Sequence, residues 1–132
     1  MTGTTPSTAF RTAVTATLAV RNWARAMEFY KAAFGAVETY RLDTPEGVIA
    51  RLSVGGAQFW ISPGEPAGEG PEAVGGGTIR LVLVVADPDA VFAQAIGAGA
   101  TAVFPVGEAH GWRLGRLTDP FGLDWEIGHE LA

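Results

Sequence analysis

The chain has no cysteine, and that absence removes disulfide frameworks, thiolate metal sites and cysteine nucleophiles at once. It is also short of cations, with 9 Lys and Arg against 14 Asp and Glu, a formal charge of −5. Phosphate binding needs clustered positive charge, so nucleic acid is not expected as a partner. A negative balance can favour cationic ligands, but many ordinary cytosolic proteins are equally acidic. Long apolar runs are missing too. The longest, Ile79 to Ala86, is interrupted by Arg80 and is far too short to cross a bilayer. The Thr/Ser/Pro-rich start, Met1 to Thr12, lacks the apolar segment of a secretion signal. No membrane partner is expected, and the cytoplasm is the expected compartment. A serine elbow, a Ser/His/Asp order and a cofactor fingerprint are likewise absent.

What is present is the composition of a globular protein: 132 residues, 48% hydrophobic and 17% charged, enough for one domain with a substantial core. Within it, two stretches echo each other. Thr15-Ala16-Thr17-Leu18-Ala19-Val20-Arg21-Asn22 returns as Arg80-Leu81-Val82-Leu83-Val84-Val85-Ala86-Asp87, and each copy leads into a helix-like segment. Gly56-Ala57-Gln58-Phe59-Trp60-Ile61 reappears as Gly122-Leu123-Asp124-Trp125-Glu126-Ile127, so the offset is about 65 residues, half the chain. One supersecondary unit is therefore read as duplicated.

Local signals give each copy the order β-α-β-β-β. Val14 to Val20 reads as a strand, Asn22 as a helix cap, and Trp23, Met27, Tyr30 and Phe34 as one helix face closed by Gly35. Val37 to Leu42 and Val48 to Val54 form a hairpin, followed by a strand over Ala57 to Ser62. In the second copy Ile79 to Val85 is the strand, Asp87-Pro88 opens the helix, and Val91, Phe92, Ala95 and Ile96 form its apolar face. Strands follow near Ala102 to Val106, Trp112 to Leu117 and Leu123 to Gly128, the last two joined by the turn Asp119-Pro120-Phe121-Gly122. Pro63 to Gly77 carries six Gly and three Pro in fifteen residues and reads as a linker without a core of its own. Its glycines lack the strand-before, helix-after context of a phosphate loop.

The expected organisation is a tail over residues 1–12, then a single domain over 13–132 with modules at 13–62 and 78–128. The expected fold class is α+β: two βαβββ modules form a curved, partly open mixed sheet with both helices on its convex face. This module order, with Phe29-Tyr30, Phe34-Gly35 and the run Gly115 to Glu126, resembles the vicinal oxygen chelate superfamily of glyoxalases, extradiol dioxygenases and bleomycin-resistance proteins. The resemblance is strongest to its glyoxalase-like, single-domain bacterial subgroup. Its most specific element is the Asp-Pro-x-Gly turn followed four residues later by Glu126.

The resemblance implies four metal-ligand positions, two per module, which fall here on Thr15, Trp60, Arg80 and Glu126. Only Glu126 has a donor suited to a divalent ion; an indole offers no lone pair and a guanidinium repels a cation. No metal and no cofactor are therefore expected. Strand alternation sets Glu126 and Asp124 opposite to Trp125 and Ile127, Trp60 with Gln58 and Ser62, Arg80 with Val82, and Thr15 with Thr17. The superfamily's ligand face is its concave face, and His110 and Trp112 fall near the mouth of the cleft. Candidate ligand-binding residues are thus Thr15, Thr17, Trp60, Arg80, His110, Trp112 and Glu126. No catalytic residue is assigned. Glu126 and Arg80 are read either as a structural ion pair or as polar anchors for a ligand, and His129 receives no role.

These residues suit metal-independent binding of a small aromatic or cationic molecule, similar to drug-sequestering proteins of the bleomycin-resistance type and hence to antibiotic resistance. The alternative is a glyoxalase-like lyase or isomerase that uses Glu126 as base or metal ligand. A regulatory domain with a vestigial cleft is the third. The resemblance also implies a homodimer, with modules paired within one chain or exchanged between two.

Overall fold

The computed structural model describes residues 10–64 and 79–132. The expected tail lies outside them up to residue 9, and the expected linker lies outside them from residue 65 onward. The first module runs β1 (Thr17–Val20), α1 (Trp23–Phe34), β2 (Val37–Thr44), β3 (Gly47–Val54) and β4 (Ala57–Pro63). The second runs β5 (Leu81–Val84), α2 (Pro88–Ala98), β6 (Thr101–Ala109), β7 (Trp112–Thr118) and β8 (Asp124–Glu130). Hydrogen bonds arrange them as two four-stranded sheets of the same topology, β1-β4-β3-β2 and β5-β8-β7-β6. In each, the first strand pairs parallel with the last and the other pairs are antiparallel. The fold is α+β, built from two βαβββ modules. Among the described residues, no helix is long and apolar enough to cross a membrane.

Both helices start and stop on local chemistry. The Asn22 side chain accepts from the Arg25 N–H at 3.1 Å and Gly35 closes α1 at φ 71°, a left-handed conformation that glycine adopts without a Cβ clash. Asp87 caps α2 in the same way through Ala90 N–H at 3.1 Å, with Pro88 in the first turn. The helices touch each other, and Gln94 donates to the Ala32 carbonyl at 2.8 Å.

Period-two alternation decides which sheet face the helices cover. Leu18, Val20, Ala50, Leu52, Phe59 and Ile61 are buried in the first module, and Leu83, Leu117, Trp125 and Ile127 in the second. Against them α1 sets Ala26, Met27, Phe29, Tyr30, Ala33 and Phe34. The stripe of α1 is thus broader than the expected one, taking in Phe29, while Trp23 is only half-buried with the Arg41 guanidinium 4.7 Å above its ring. Ile96 of α2 stays exposed, contrary to expectation, because α2 turns only Pro88 and Ala95 fully inward. The first strand is also shorter than expected. Pairing with β4 begins at Thr17 opposite Trp60; the Ala16 carbonyl before it accepts from the Trp60 N–H at 2.8 Å, and Thr15 precedes the strand as an exposed residue.

One carboxylate joins the two modules. Asp119 follows β7 in the turn of the second module and is 4% exposed. Its Oδ2 accepts from the Tyr30 hydroxyl of α1 at 2.6 Å and from the Trp125 indole N–H at 2.9 Å. Its Oδ1 accepts from the backbone N–H groups of Phe121 at 2.9 Å and Leu123 at 3.0 Å. Burial raises the Asp119 pKa above the usual carboxylate value, and the hydrogen bonds pull against that shift. Burial and the adjacent carboxylate together push the Tyr30 phenol well up, which keeps it a donor. Around this knot Tyr30, Phe34, Phe59 and Trp125 pack as an aromatic cluster with centroids 4.8 to 6.1 Å apart.

Truncating Trp125 to Ala removes both a large packed ring and one donor to Asp119, and should cost about 3–5 kcal/mol in urea unfolding. Tyr30→Phe deletes one hydrogen bond while keeping the ring, and should cost about 1–3 kcal/mol. A loss below about 1 kcal/mol for Trp125→Ala would show that this residue does not anchor the core.

Candidate functional site

The sheet faces turned away from the helices carry the chemistry. In the second module one row of register partners crosses the sheet as Val82, Glu126, Arg116 and Phe104. In the first, the matching row is Thr17, Trp60, Arg51 and Tyr40. The two rows occupy equivalent places in the repeat. Each has an arginine on its third strand and an aromatic ring on its edge strand.

The second row opens into a cavity of about 600 Å³ with apolar walls of Val82, Phe104, Trp112 and Leu114, and with Glu108, Glu126 and His110 as its polar groups. Its outer wall is β6, which runs longer than the sequence pattern suggested. Pro105 suits an edge strand because it has no N–H to offer a further neighbour. Two register shifts, on either side of Phe104, bend that strand. His110 and Gly111 then form the hairpin tip, with φ 55° and 82°, between the paired Ala109 and Trp112. Positive φ at both central residues is what a tight two-residue hairpin requires. His110 is therefore a turn residue at the rim.

Charges on this face pair off internally. Arg80 Nε donates to Glu126 Oε2 at 2.9 Å. Arg116 Nη2 donates to Asp124 Oδ2 at 3.1 Å, and the Thr118 hydroxyl donates to the other Asp124 oxygen at 2.8 Å. Arg116 Nε is buried with no hydrogen-bond partner among the described residues. Glu126, its side chain 19% exposed, also lines the cavity.

The seven candidate residues are not gathered into one place. His110, Trp112 and Glu126 line the large cavity, and Arg80 is bound to Glu126 beside it. Thr15 lines a separate pocket of about 220 Å³ with Gln58, Leu81 and Trp125. Trp60 and its register partner Thr17 stand on the first sheet, where Trp60 meets Tyr40 edge-on at 5.8 Å. His129 places Nδ1 2.8 Å from the Val85 carbonyl oxygen. Sequence reasoning missed Phe104, Glu108 and Leu114 in the cavity, and Arg51 and Tyr40 on the first sheet. Period-two alternation from Trp112 would have found Leu114, and Pro105 signals the bent edge strand that carries Phe104 and Glu108.

Among the described residues, no three His, Cys, Asp or Glu side chains come together in a way that could hold a metal ion. The four positions implied by family resemblance hold one carboxylate, and Arg80 already engages it.

This architecture, two βαβββ modules with ligand-sized space on the helix-free face, defines a glyoxalase-type fold. The chain belongs to the glyoxalase-like domain family, whose model matches residues 15–127, and so to the vicinal oxygen chelate superfamily. A protein of Mycobacterium bovis that carries no functional name is 36% identical over 86% of this chain and 80% of its own length. The crystal structure of TioX from Micromonospora sp. ML1 is 26% identical, covers 91% of this chain and all of its own, and superposes with a TM-score of 0.69. TnmS3 from Streptomyces sp. CB03234, described as an antibiotic binding protein, shares the fold with a TM-score of 0.69 at 18% identity, over 91% of this chain and 97% of its own.

A metal bound only by the folded state, at a hundred times its dissociation constant, would stabilise it by about 2.7 kcal/mol. With this donor set, the melting temperature should not respond to Zn²⁺, Ni²⁺, Mg²⁺ or chelator. A stoichiometric rise with any one ion, followed by differential scanning calorimetry, would overturn the expectation.

Proposed function

We propose that this protein binds a small planar molecule, aromatic and partly cationic, in the cavity of its second module, without a metal. The carrying observation is the cavity itself. Its volume of about 600 Å³ lies within the roughly 300–1,000 Å³ common for ligand sites. Apolar walls with Trp112 and Phe104 suit a flat ring system, and Glu126 and Glu108 suit positive charge on it. Binding of this kind can protect a cell by sequestration and needs affinity alone, in keeping with the antibiotic binding described for TnmS3.

The rival reading is lyase or isomerase chemistry with Glu126 as base, and what favours it is the place of that carboxylate in the cavity lining. A homodimer in the cytoplasm is part of the proposal. Val84 and Val103, outside the cavity lining, are exposed in the single chain, and a second copy covering them would remove them from water.

Calorimetric titration with proflavine, a planar cation, and with acridone, its neutral counterpart, tests the reading. Both should bind, and Trp112→Ala should weaken both. Glu126→Gln should weaken proflavine about ten- to a hundred-fold and acridone hardly at all, since a charge-assisted hydrogen bond contributes about 1.5–3 kcal/mol. Absence of binding by either compound, or equal losses for both, would defeat the proposal.

A further inference from the structure

The two modules carry the same arginine in opposite electrostatic situations. Arg116 of the second module has Asp124 at 3.1 Å and stands across from Glu126 in the strand register. Its counterpart in the first module is Arg51, which stands across from Trp60. Where the second copy has Asp124 and Glu126, the first has Gln58 and Trp60, at the same distance along the strand. The carboxylate that pairs with Arg116 and the one that faces it in register are thus both replaced by uncharged side chains beside Arg51.

Other groups hold it instead. The Arg51 guanidinium carbon lies 5.5 Å from the Trp60 ring centroid and 5.8 Å from that of Tyr40. Arg51 Nε donates to the Thr39 hydroxyl at 3.0 Å. Thr39 reaches it because the β2–β3 register shifts between Glu38 and Tyr40. The second module has the corresponding shift between Ala102 and Phe104, with Val103 at the site and no hydroxyl to offer. Arg51 is thus oriented through one nitrogen and flanked by two rings. Its two terminal NH₂ groups make no hydrogen bond or ion pair among the described residues.

We propose that Arg51, Tyr40 and Trp60 form an anion site in the first module that takes the carboxylate of a planar aromatic acid. A guanidinium presents a flat pair of donors that matches a carboxylate in bidentate geometry. One positive charge with no ion pair among the described residues matches one negative charge, which favours a carboxylate over a doubly charged phosphate. Tyr40, 46% exposed, and the half-buried Trp60 supply ring surface beside the fork. The site goes beyond the cavity of the second module and does not depend on it.

Calorimetric titration of the full chain with 2-naphthoate and with neutral 2-naphthamide tests this. Naphthoate should bind more tightly than naphthamide by about tenfold, and Arg51→Gln should abolish that difference. Arg51→Lys keeps the charge but loses the fork, and should recover the preference only in part. Arg41→Gln is the charge control. Arg41 lies on the same strand as Tyr40, over Trp23 on the helix side, and its loss should leave naphthoate binding unchanged within about twofold. The proposal is overturned if naphthoate binds no better than naphthamide, or if Arg51→Gln costs no more than Arg41→Gln.

Discussion

The carboxylate of Asp119 is the point on which the two halves of the molecule depend. An ionised group buried against aromatic rings is expensive unless donors replace the lost water. Four donors do so here, and they come from different parts of the chain: the Tyr30 hydroxyl, the Trp125 indole and the backbone of Phe121 and Leu123. The backbone pair fixes the turn between β7 and β8, the indole fixes the first residues of β8, and the phenol ties both to α1 in the other module. Removing any donor leaves the others holding a less compensated charge. That shared penalty makes the junction specific as well as stable.

With the junction on the helix side, the opposite sheet faces are free to diverge, and they have done so in a coherent way. Each row keeps an arginine and an edge-strand aromatic at equivalent places. In the second module carboxylates neutralise the cations, and a bent edge strand walls an apolar cavity that Glu126 lines. In the first, Trp60 and Tyr40 take the place of the acids as neighbours of the arginine, and no ion pair among the described residues compensates its charge. Duplication supplied one scaffold, and substitution at a few facing positions produced two different surfaces.

Much of this was legible from the chain. The echo between Thr15–Asn22 and Arg80–Asp87, the caps Asn22 and Asp87, and the alternation around Trp125 and Glu126 all describe local geometry, and local geometry is what periodicity encodes. The Arg80–Glu126 contact was also within reach, because parallel neighbours in a repeat lie side by side. Arg51 escaped notice because nothing in Ala50-Arg51-Leu52 distinguishes a solvated strand arginine from one pinned between rings. Asp119 reads from sequence as a turn former, which it is. Its partner Tyr30 lies 89 residues away, and no local pattern carries that information.

The sequence by itself determined the two βαβββ units, the helix ends and the inward and outward face of each strand, because those follow from side-chain spacing and capping chemistry. It also ruled out thiolate chemistry and left one carboxylate where the family's pattern calls for four ligands. Only the tertiary structure decided how the modules dock through Asp119, that His110, Trp112 and Glu126 share a cavity from which Thr15 and Trp60 are separated, and that Arg51 stands between two rings with no ion pair among the described residues. Those outcomes depend on distances between side chains far apart in the chain, set by sheet register and by bulges at Glu38/Tyr40 and Ala102/Phe104. A shift of one residue in either register would turn the same side chains to the other face.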